Sequence, residues 1–380
     1  MKIVFFAPRF HTNQREIVKA LLDRGHDVSY FVMFYGVTED HSLLKTELIP
    51  SKTSKSDGEF LNNELEYIEK YPIDIIETKK VIKTKNPDLV IVRDRTKTMR
   101  AVNLICKSLG IPVILYDQRP LYVSKSGILG NLKRKIFNIA TPSVRYTPVV
   151  YRACNIDNCK PEMTNIDNNA HYIPFIVSVP ERKKTEYQHD GFLHIIDVGK
   201  YRESKNHSVL VEAIELCKYK NKIKVTIIGQ AKSKEEMQYR DNLQKLIDNK
   251  GLEKNIILIS NVLPNEMVQY YYQNDVFVLC SLNELASISV LEAMACGLSV
   301  LATFNNGTSS LISNNSTGML FDPRDSNDLA KKIDCYFEEC NRAERMGKNA
   351  KEYIIRQHSR VKYIEAMNNL LRDIRGDLKV

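Results

Sequence analysis

Twice along this chain short apolar runs alternate with longer amphipathic ones, and that repeated rhythm narrows the folds open to it. Ile3–Ala7, Val28–Phe34, Leu89–Val92 and Val113–Tyr116 are β-branched or aromatic and lack polar alternation, as strands buried on both faces do. Helical patterns lie between them. Glu16–Arg24 stops at Gly25, and Ala101–Leu109 stops at Gly110-Ile111-Pro112, both good C-terminal signals. Strand, helix, glycine and strand again predicts a parallel sheet with helices on both faces.

The rhythm then restarts. Leu193–Val198, Ile223–Ile228, Ile256–Ile259, Val276–Leu279 and Ser299–Ala302 are five further strand candidates, separated by helical stretches Ser208–Tyr219, Lys234–Asn249, Pro264–Gln273 and Ser287–Cys296. A length of 380 residues likewise favours two domains. Residues 178–191 are polar and hold Pro180, Lys183-Lys184 and Gly191, so a linker is expected there. The predicted layout is a Rossmann-like domain over 1–177, the linker, a second Rossmann-like domain over 192–358, and a C-terminal helix over 359–380. In such folds ligands sit at the carboxyl ends of the strands.

Composition excludes several classes. Hydrophobic content of 43% and charged content of 27% are ordinary for a globular protein. No apolar run reaches the length of about 18 residues needed to span a bilayer, and the opening MKIVFFAPRF has too short an apolar stretch for a secretory signal. A cytoplasmic protein is expected. The close cysteine pairs Cys154/Cys159 and Cys335/Cys340 fit no common zinc or redox spacing, while Cys106, Cys217, Cys280 and Cys296 lie in apolar segments as buried free thiols would.

The net charge of +9 is concentrated in the first half, where residues 1–180 carry 26 Lys+Arg against 19 Asp+Glu. Nothing resembles a nucleic-acid-binding module. An anionic membrane surface or a phosphate-bearing acceptor is the better partner for such a balance, alongside ordinary solvated lysines. Two stretches break the rhythm. Residues 36–65 are polar and weakly periodic; residues 121–140 are apolar with a Lys133-Arg134-Lys135 cluster, as an interfacial membrane helix or a plain surface helix would be.

The chemistry concentrates in Cys280–Gly297. A buried strand ends near Cys280, a polar loop follows, and a helix starts around Ser287 and ends at Gly297. Ser287 or Ser289 can cap that helix, and the amides of its first turn, with Ile288, form a natural diphosphate site. Glu292 lies in the helix among Leu291, Ala293, Met294 and Ala295, where a carboxylate is costly unless hydroxyls such as a ribose diol bond to it. Glu284, in the preceding loop, would reach a sugar beyond the diphosphate. Two glutamates in isolation would be read as a solvated face; the strand–loop–helix–Gly setting changes that.

Glu284-x7-Glu292 followed by Ala293-Met294-Ala295-Cys296-Gly297 resembles the signature of retaining GT-B glycosyltransferases of family 4. Val198-Gly199-Lys200-Tyr201-Arg202-Glu203-Ser204-Lys205-Asn206 resembles the family's Gly-Arg-x4-Lys segment, with Lys200 in the Arg place and Lys205 in the Lys place, both implied to clamp the donor diphosphate. Ile228-Gly229-Gln230, Asn261-Val262-Leu263 and Asn305-Asn306-Gly307-Thr308 resemble the family's strand-end glycine, base-reading segment and donor-side loop. The similarity covers residues 193–358; over 1–180 it rests on layout. It implies a GT-B fold, two facing Rossmann-like domains, with the C-terminal helix packing back on the first.

The implied activity is retaining transfer from a nucleotide sugar, with Glu284, Lys205 and Lys200 catalytic. Gly199, Gly229, Val262, Ser287, Ile288, Ser289 and Glu292 would complete the donor site. On the acceptor side, strand-end position nominates Phe10, His11, Thr12, Asn13, Arg93, Asp117, Gln118 and Arg119. Three departures stand out: Pro8–Gln14 replaces a Gly-rich loop, Gln118 occupies the place of a frequent His, and Lys200 replaces Arg. No Asp-x-Asp triplet occurs, so catalysis without metal or other cofactor is expected. The acceptor implied is a saccharide or lipid-linked saccharide, as in bacterial surface-polysaccharide assembly (lipopolysaccharide or capsule), with the enzyme peripheral on the inner membrane face. The rival readings are a donor-binding inactive subunit that activates a partner transferase, and a GT-B-like nucleotide-sugar epimerase.

Overall fold

A computed structural model describes residues 1–35, 41–53, 72–119, 122–123, 141–142, 144–150, 165–166, 169–312 and 315–374. The stretch 124–140, with Lys133–Lys135, most of 36–65, and Cys154 and Cys159 lie outside the described residues. The chain divides into two compact units, one of 1–150, 162–176 and 360–380, the other of 151–161 and 177–359.

The first unit is built on β1 (Lys2–Ala7), β2 (Asp27–Val32), β3 (Thr46–Leu48), β4 (Leu89–Arg93), β5 (Val113–Tyr116), β7 (Val144–Thr147) and β9 (Ala170–Tyr172). They form one parallel sheet in the order β3-β2-β1-β4-β5-β7-β9. Two short strands, β6 (Tyr122–Val123) and β8 (Asn165–Ile166), pair antiparallel beside it. Helices α1 (Thr12–Leu22), α2 (Ile75–Lys85) and α3 (Lys97–Ser108) cross between strands. The apolar runs are buried as their lack of alternation requires: Phe6 stacks on Phe31 at 5.1 Å, and Phe5 on Tyr30 at 5.2 Å.

Two helices start earlier than periodicity indicates. α1 begins at Thr12 because His11 caps it, its Nδ1 accepting from the Asn13 amide. α3 begins at Lys97, capped by Thr96, whose hydroxyl accepts from the Met99 amide at 3.1 Å. Caps are local hydrogen bonds and leave no trace in an apolar pattern. The C-terminal helix α10 (Arg360–Ile374) belongs to this unit: Tyr363, Met367, Leu370 and Leu371 are buried, and Arg360 pairs with Glu16 of α1 at 3.1 Å and with Asp23, just past its end, at 2.7 Å.

The second unit holds β10 (Leu193–Val198), β11 (Ile223–Gly229), β12 (Ile256–Ser260), β13 (Val276–Leu279), β14 (Ser299–Thr303) and β15 (Gly318–Phe321). All run parallel in the order β12-β11-β10-β13-β14-β15. Helices α4 (His207–Leu216), α5 (Lys234–Asn249), α6 (Met267–Gln273), α7 (Ile288–Ala295), α8 (Ser326–Glu338) and α9 (Arg342–Gln357) complete it. β15 adds a sixth strand to the five expected. Residues 178–191, expected as a linker, are packed along this unit. Lys184 Nζ donates to the Tyr272 carbonyl at 2.9 Å, and the Tyr187 hydroxyl to the Gly297 carbonyl at 2.7 Å.

From β10 the order runs out one way through β11 and β12 and the other way through β13 to β15. The carboxyl ends of β10 and β13 are therefore the switch point at which doubly wound sheets open a ligand crevice.

Candidate functional site

Loops leaving β10 and β13 meet at that switch point. Lys205, from the first, is ion-paired with Glu284, from the second, and both side chains are about one-fifth exposed. The loops are also tied by backbone, the Leu282 amide donating to the Ser204 carbonyl at 3.0 Å. Glu284 is held in turn by the loop after β14. Its amide donates to the Asn305 carbonyl at 3.3 Å and its carbonyl accepts from Gly307 at 2.9 Å. The Asn305–Thr308 segment singled out in the sequence is thus the outer wall beside Glu284. Asn306 is locked by its own turn, accepting from the Thr308 amide at 2.9 Å.

Behind the cations lies a buried scaffold. His207 Nδ1 is 3.0 Å from Asp197 Oδ2, and its Nε2 is 3.3 Å from the Lys200 carbonyl, so the ring bridges the last turn of β10 and the loop. The Lys200 side chain is exposed. Tyr201 is fully buried, and its hydroxyl lies 3.0 and 2.9 Å from the Ile227 and Ile259 carbonyls, which share its one proton. Gly229 permits this approach: a Cβ there would sit 2.5 Å from the Gly199 carbonyl oxygen and 2.7 Å from the Tyr201 ring. Sequence reading identified Gly199 and Gly229 but not His207, Asp197 or Tyr201. Their partners lie up to 58 residues away, and only Tyr201's place within the cation segment hinted at a role.

α7 opens beside Glu284. Ser287 is its cap, accepting from the Val290 amide, and Ser289 is hydrogen-bonded to Ser287 at 2.9 Å. The first-turn amides of Ile288 and Ser289 lack the intrahelical acceptors that later amides have, which makes the helix start a place for anionic oxygens. One turn further in, Glu292 Oε2 accepts from the Tyr271 hydroxyl at 3.1 Å. Its neighbours Leu291, Ala293, Met294 and Ala295 are fully buried. Burial holds the Glu292 carboxyl above the usual carboxylate range, and the Tyr271 hydrogen bond opposes that shift. Tyr271, on α6, was not foreseen.

Val262 is partly exposed next to Asn261, whose backbone is left-handed at φ 59°. Asn261 stands where the resembling family has Gly, and Asn tolerates that conformation. Its side chain accepts from the Ala231 amide at 3.0 Å and donates to the Ala231 carbonyl at 3.2 Å, joining the loops after β11 and β12. A cavity of about 510 Å³ near the cation loop is lined by Tyr201, Arg202, Glu203, Ser233 and Tyr239. None of the expected donor-binding residues lines it, so it is a separate hollow.

In the first unit, the acceptor-side candidates lie at the carboxyl edge around β1, β4 and β5. Arg93 Nη1 donates to Asn13 Oδ1 at 3.2 Å, and the guanidinium lies 5.5 Å over the Tyr116 ring. Asp117 is buried and contacts Arg95, Arg119 and Arg145 at 3.3, 2.7 and 3.2 Å. His11 and Thr12 start α1, and Gln118 remains partly exposed. Phe10 is a core side chain, edge-on to Tyr30 at 4.8 Å, which removes it from any ligand contact. The buried thiols behave as expected of core cysteines: burial pushes Cys106 and Cys296 up to about 12.

Residues 180–353 match the family described as glycosyl transferases group 1. The D-inositol 3-phosphate glycosyltransferase of Paenarthrobacter aurescens is 29% identical over 164 residues, 42% of this chain and 39% of that protein. The alpha-monoglucosyldiacylglycerol synthase of Streptococcus pneumoniae is 26% identical over 133 residues, 35% of this chain and 29% of that protein. The chain therefore spans well under half the length of these curated relatives. Among solved structures, a glycosyltransferase of Rickettsia africae has a TM-score of 0.73 at 17% identity and covers 99% of both chains. Anabaena HepE in complex with UDP has a TM-score of 0.73 at 14% identity, over 98% of this chain and all of that one. At such identities the likeness establishes the fold, which is GT-B.

Proposed function

From the match of residues 180–353 to glycosyl transferases group 1, we propose that this chain is a retaining glycosyltransferase that moves a sugar from a nucleotide-sugar donor to a saccharide or lipid-linked saccharide. The observation that carries this reading is the meeting of Lys205 and Glu284 at the switch point beside the start of α7.

In the free protein Lys205 neutralises Glu284. An entering diphosphate competes for the Lys205 ammonium, with Lys200 and the first-turn amides at Ser287 to Ser289 as its other partners. The Glu284 carboxylate is then released to accept from hydroxyls of the donor sugar, while Glu292 accepts from the ribose. The bond between the anomeric carbon and the phosphate oxygen breaks as the acceptor oxygen bonds on the same face. The departing phosphate takes the acceptor proton, and Lys205 and Lys200 stabilise the charge it gains. No step needs a metal or another cofactor.

The acceptor is the less constrained half. The relatives named above carry names as different as an inositol phosphate glycosyltransferase and a glucosyldiacylglycerol synthase, which supports a common donor chemistry with an acceptor set elsewhere. Asn13, Arg93, Asp117, Gln118 and Arg119 are the candidates for that role. The basic first half favours an anionic acceptor or membrane surface, as a surface-polysaccharide enzyme would meet. No helix among the described residues is long and apolar enough to cross a membrane.

The test is a thermal shift screen with UDP-, GDP- and ADP-linked sugars, beginning with UDP because Anabaena HepE has been crystallised with it. One nucleotide class should raise the melting temperature of wild type and fail to do so in Lys205→Ala and Glu292→Ala. An unresponsive wild type, or variants that respond as it does, would overturn the donor site. Transfer in the presence of a chelator, followed by the anomeric configuration of the product, then tests the mechanism.

A further inference from the structure

At the far end of β10 from the donor loop, a second cluster of side chains has no part in the proposed transfer. We propose that His189, Asp190 and His194 bind a divalent transition metal of the zinc class.

The three side chains each offer a ligand atom, and these atoms all lie within 4.8 Å of one another. His194 Nε2 already faces the carboxylate of Asp190, at 2.9 Å from Oδ1 and 3.0 Å from Oδ2. The rings of His189 and His194 lie nearly parallel, 5.4 Å apart with 16° between planes. A tetrahedral zinc ion separates its ligand atoms by about 3.3 Å. The cluster therefore needs a contraction of an ångström or so, supplied by rotation of His189 and Asp190, which are exposed at the surface.

The backbone is prepared for this. Gln188, at φ 49°, and Gly191, at φ 81°, close a tight turn, with the Gly191 amide donating to the Gln188 carbonyl at 3.1 Å. Both ends of the turn are held by one buried carboxylate. Asp275 accepts from the Gln188 amide at 3.2 Å through Oδ1 and from the His194 amide at 2.9 Å through Oδ2. Asp190 Oδ1 also accepts from the Phe192 amide at 3.0 Å, which turns its carboxylate towards His194. Ligands positioned by a fixed scaffold lose little entropy when a metal enters, and outer-shell hydrogen bonds of this kind orient them.

Two imidazoles and one carboxylate form a borderline-soft set that favours zinc, cobalt, nickel or copper over magnesium and calcium. Three protein ligands leave the remaining positions to water. Because the cluster lies at the amino end of β10, whereas Lys205 and Glu284 follow the carboxyl ends of β10 and β13, the metal would act as a clamp. It would fasten the end of the 178–191 stretch to the sheet and take no part in sugar transfer.

The test uses the full chain stripped with a chelator. Zinc titrated by calorimetry, and cobalt by its visible absorbance, should show one equivalent bound, unaffected by excess magnesium, with a rise in melting temperature. His189→Ala and His194→Ala should each weaken binding by about tenfold or more, the loss expected for a direct ligand. His189 is exposed and its ring touches His194 at the surface, not in the core, so its variant decides the matter if His194→Ala fails to fold. No binding, or binding of unchanged affinity in His189→Ala, would overturn the proposal. Nucleotide-sugar binding should be unchanged in His189→Ala, which keeps this result separate from the test of the donor site.

Discussion

The Tyr271 hydroxyl donates to Glu292 Oε2 at 3.1 Å, joining α6 to the middle of α7 through a carboxylate set in apolar surroundings. Burial raises the Glu292 carboxyl above its ordinary value, so the folded protein holds this proton more tightly than the unfolded chain. The contribution to stability is therefore fully present below the unfolded carboxyl value and is lost as pH rises through the folded one. Urea midpoints measured from acid to neutral pH should fall with rising pH in wild type, and this fall should flatten in Glu292→Gln. Tyr271→Phe should cost about 1–3 kcal/mol at neutral pH by leaving the charged carboxylate without its donor, and less in acid. A Tyr271→Phe penalty independent of pH would contradict this account.

Lys205 and Glu284 are partly solvated, so their pairing should matter little for folding. Replacing either by Ala is expected to change stability by about 0–1 kcal/mol. The effect on turnover should be far larger, a fall of about a hundredfold or more for Lys205→Ala, since charge on a leaving phosphate would lose one of the two cations proposed to stabilise it. Lys205→Arg should recover part of the rate. Denaturation curves and initial rates on the same preparations separate the two effects.

Gly229 and Gly347 are two positions where an added Cβ would meet backbone, as it also would at Gly318. A Cβ at Gly229 would lie 2.5 Å from the Gly199 carbonyl oxygen, and one at Gly347 would lie 2.0 Å from that of Gly297. Backbone cannot rotate away as a side chain can, so each Ala variant should lose about 1–3 kcal/mol or more. Only Gly229→Ala displaces the loop that carries Lys200 and Lys205. Calorimetric melting should show both losses, and nucleotide-sugar titration should show weakened binding for Gly229→Ala with Gly347→Ala close to wild type.

His207 gives a fourth prediction because it touches the cation loop without being placed against the donor. Its ring spans Asp197 at 3.0 Å and the Lys200 carbonyl at 3.3 Å while fully buried. His207→Ala should destabilise by about 1–3 kcal/mol by taking the imidazole partner from the buried Asp197 carboxylate. Donor KM should rise as the loop loosens. Asp197→Asn should retain more stability than Asp197→Ala, since the amide oxygen can still accept from the imidazole.

Much of this protein was legible as pattern. Strands buried on both faces declare themselves by unbroken apolar runs, and nine such runs marked the two sheets. β15 escaped notice because Gly318–Phe321 is short and starts with glycine, a residue that marks turns and is poor in strands. α1 started four residues early because His11, an uncommon cap, supplies the hydrogen bond. Phe10 was nominated for its place after β1, but position along the chain does not tell which way a side chain points, and packing on Tyr30 turned it inward.

The sequence by itself determined the two α/β units and the donor signature, because unbroken apolar runs and the glycines that stop helices are local and recur along the chain. It also placed Glu284, Ser287 and Glu292 on one strand–loop–helix unit. Tertiary structure alone decided that Lys205 meets Glu284 across 79 residues, that Tyr271 answers the buried Glu292, and that Asp275 holds the turn carrying His189 and Asp190. Those pairings depend on strand order, and strand order is settled by how helices cover both faces of a sheet.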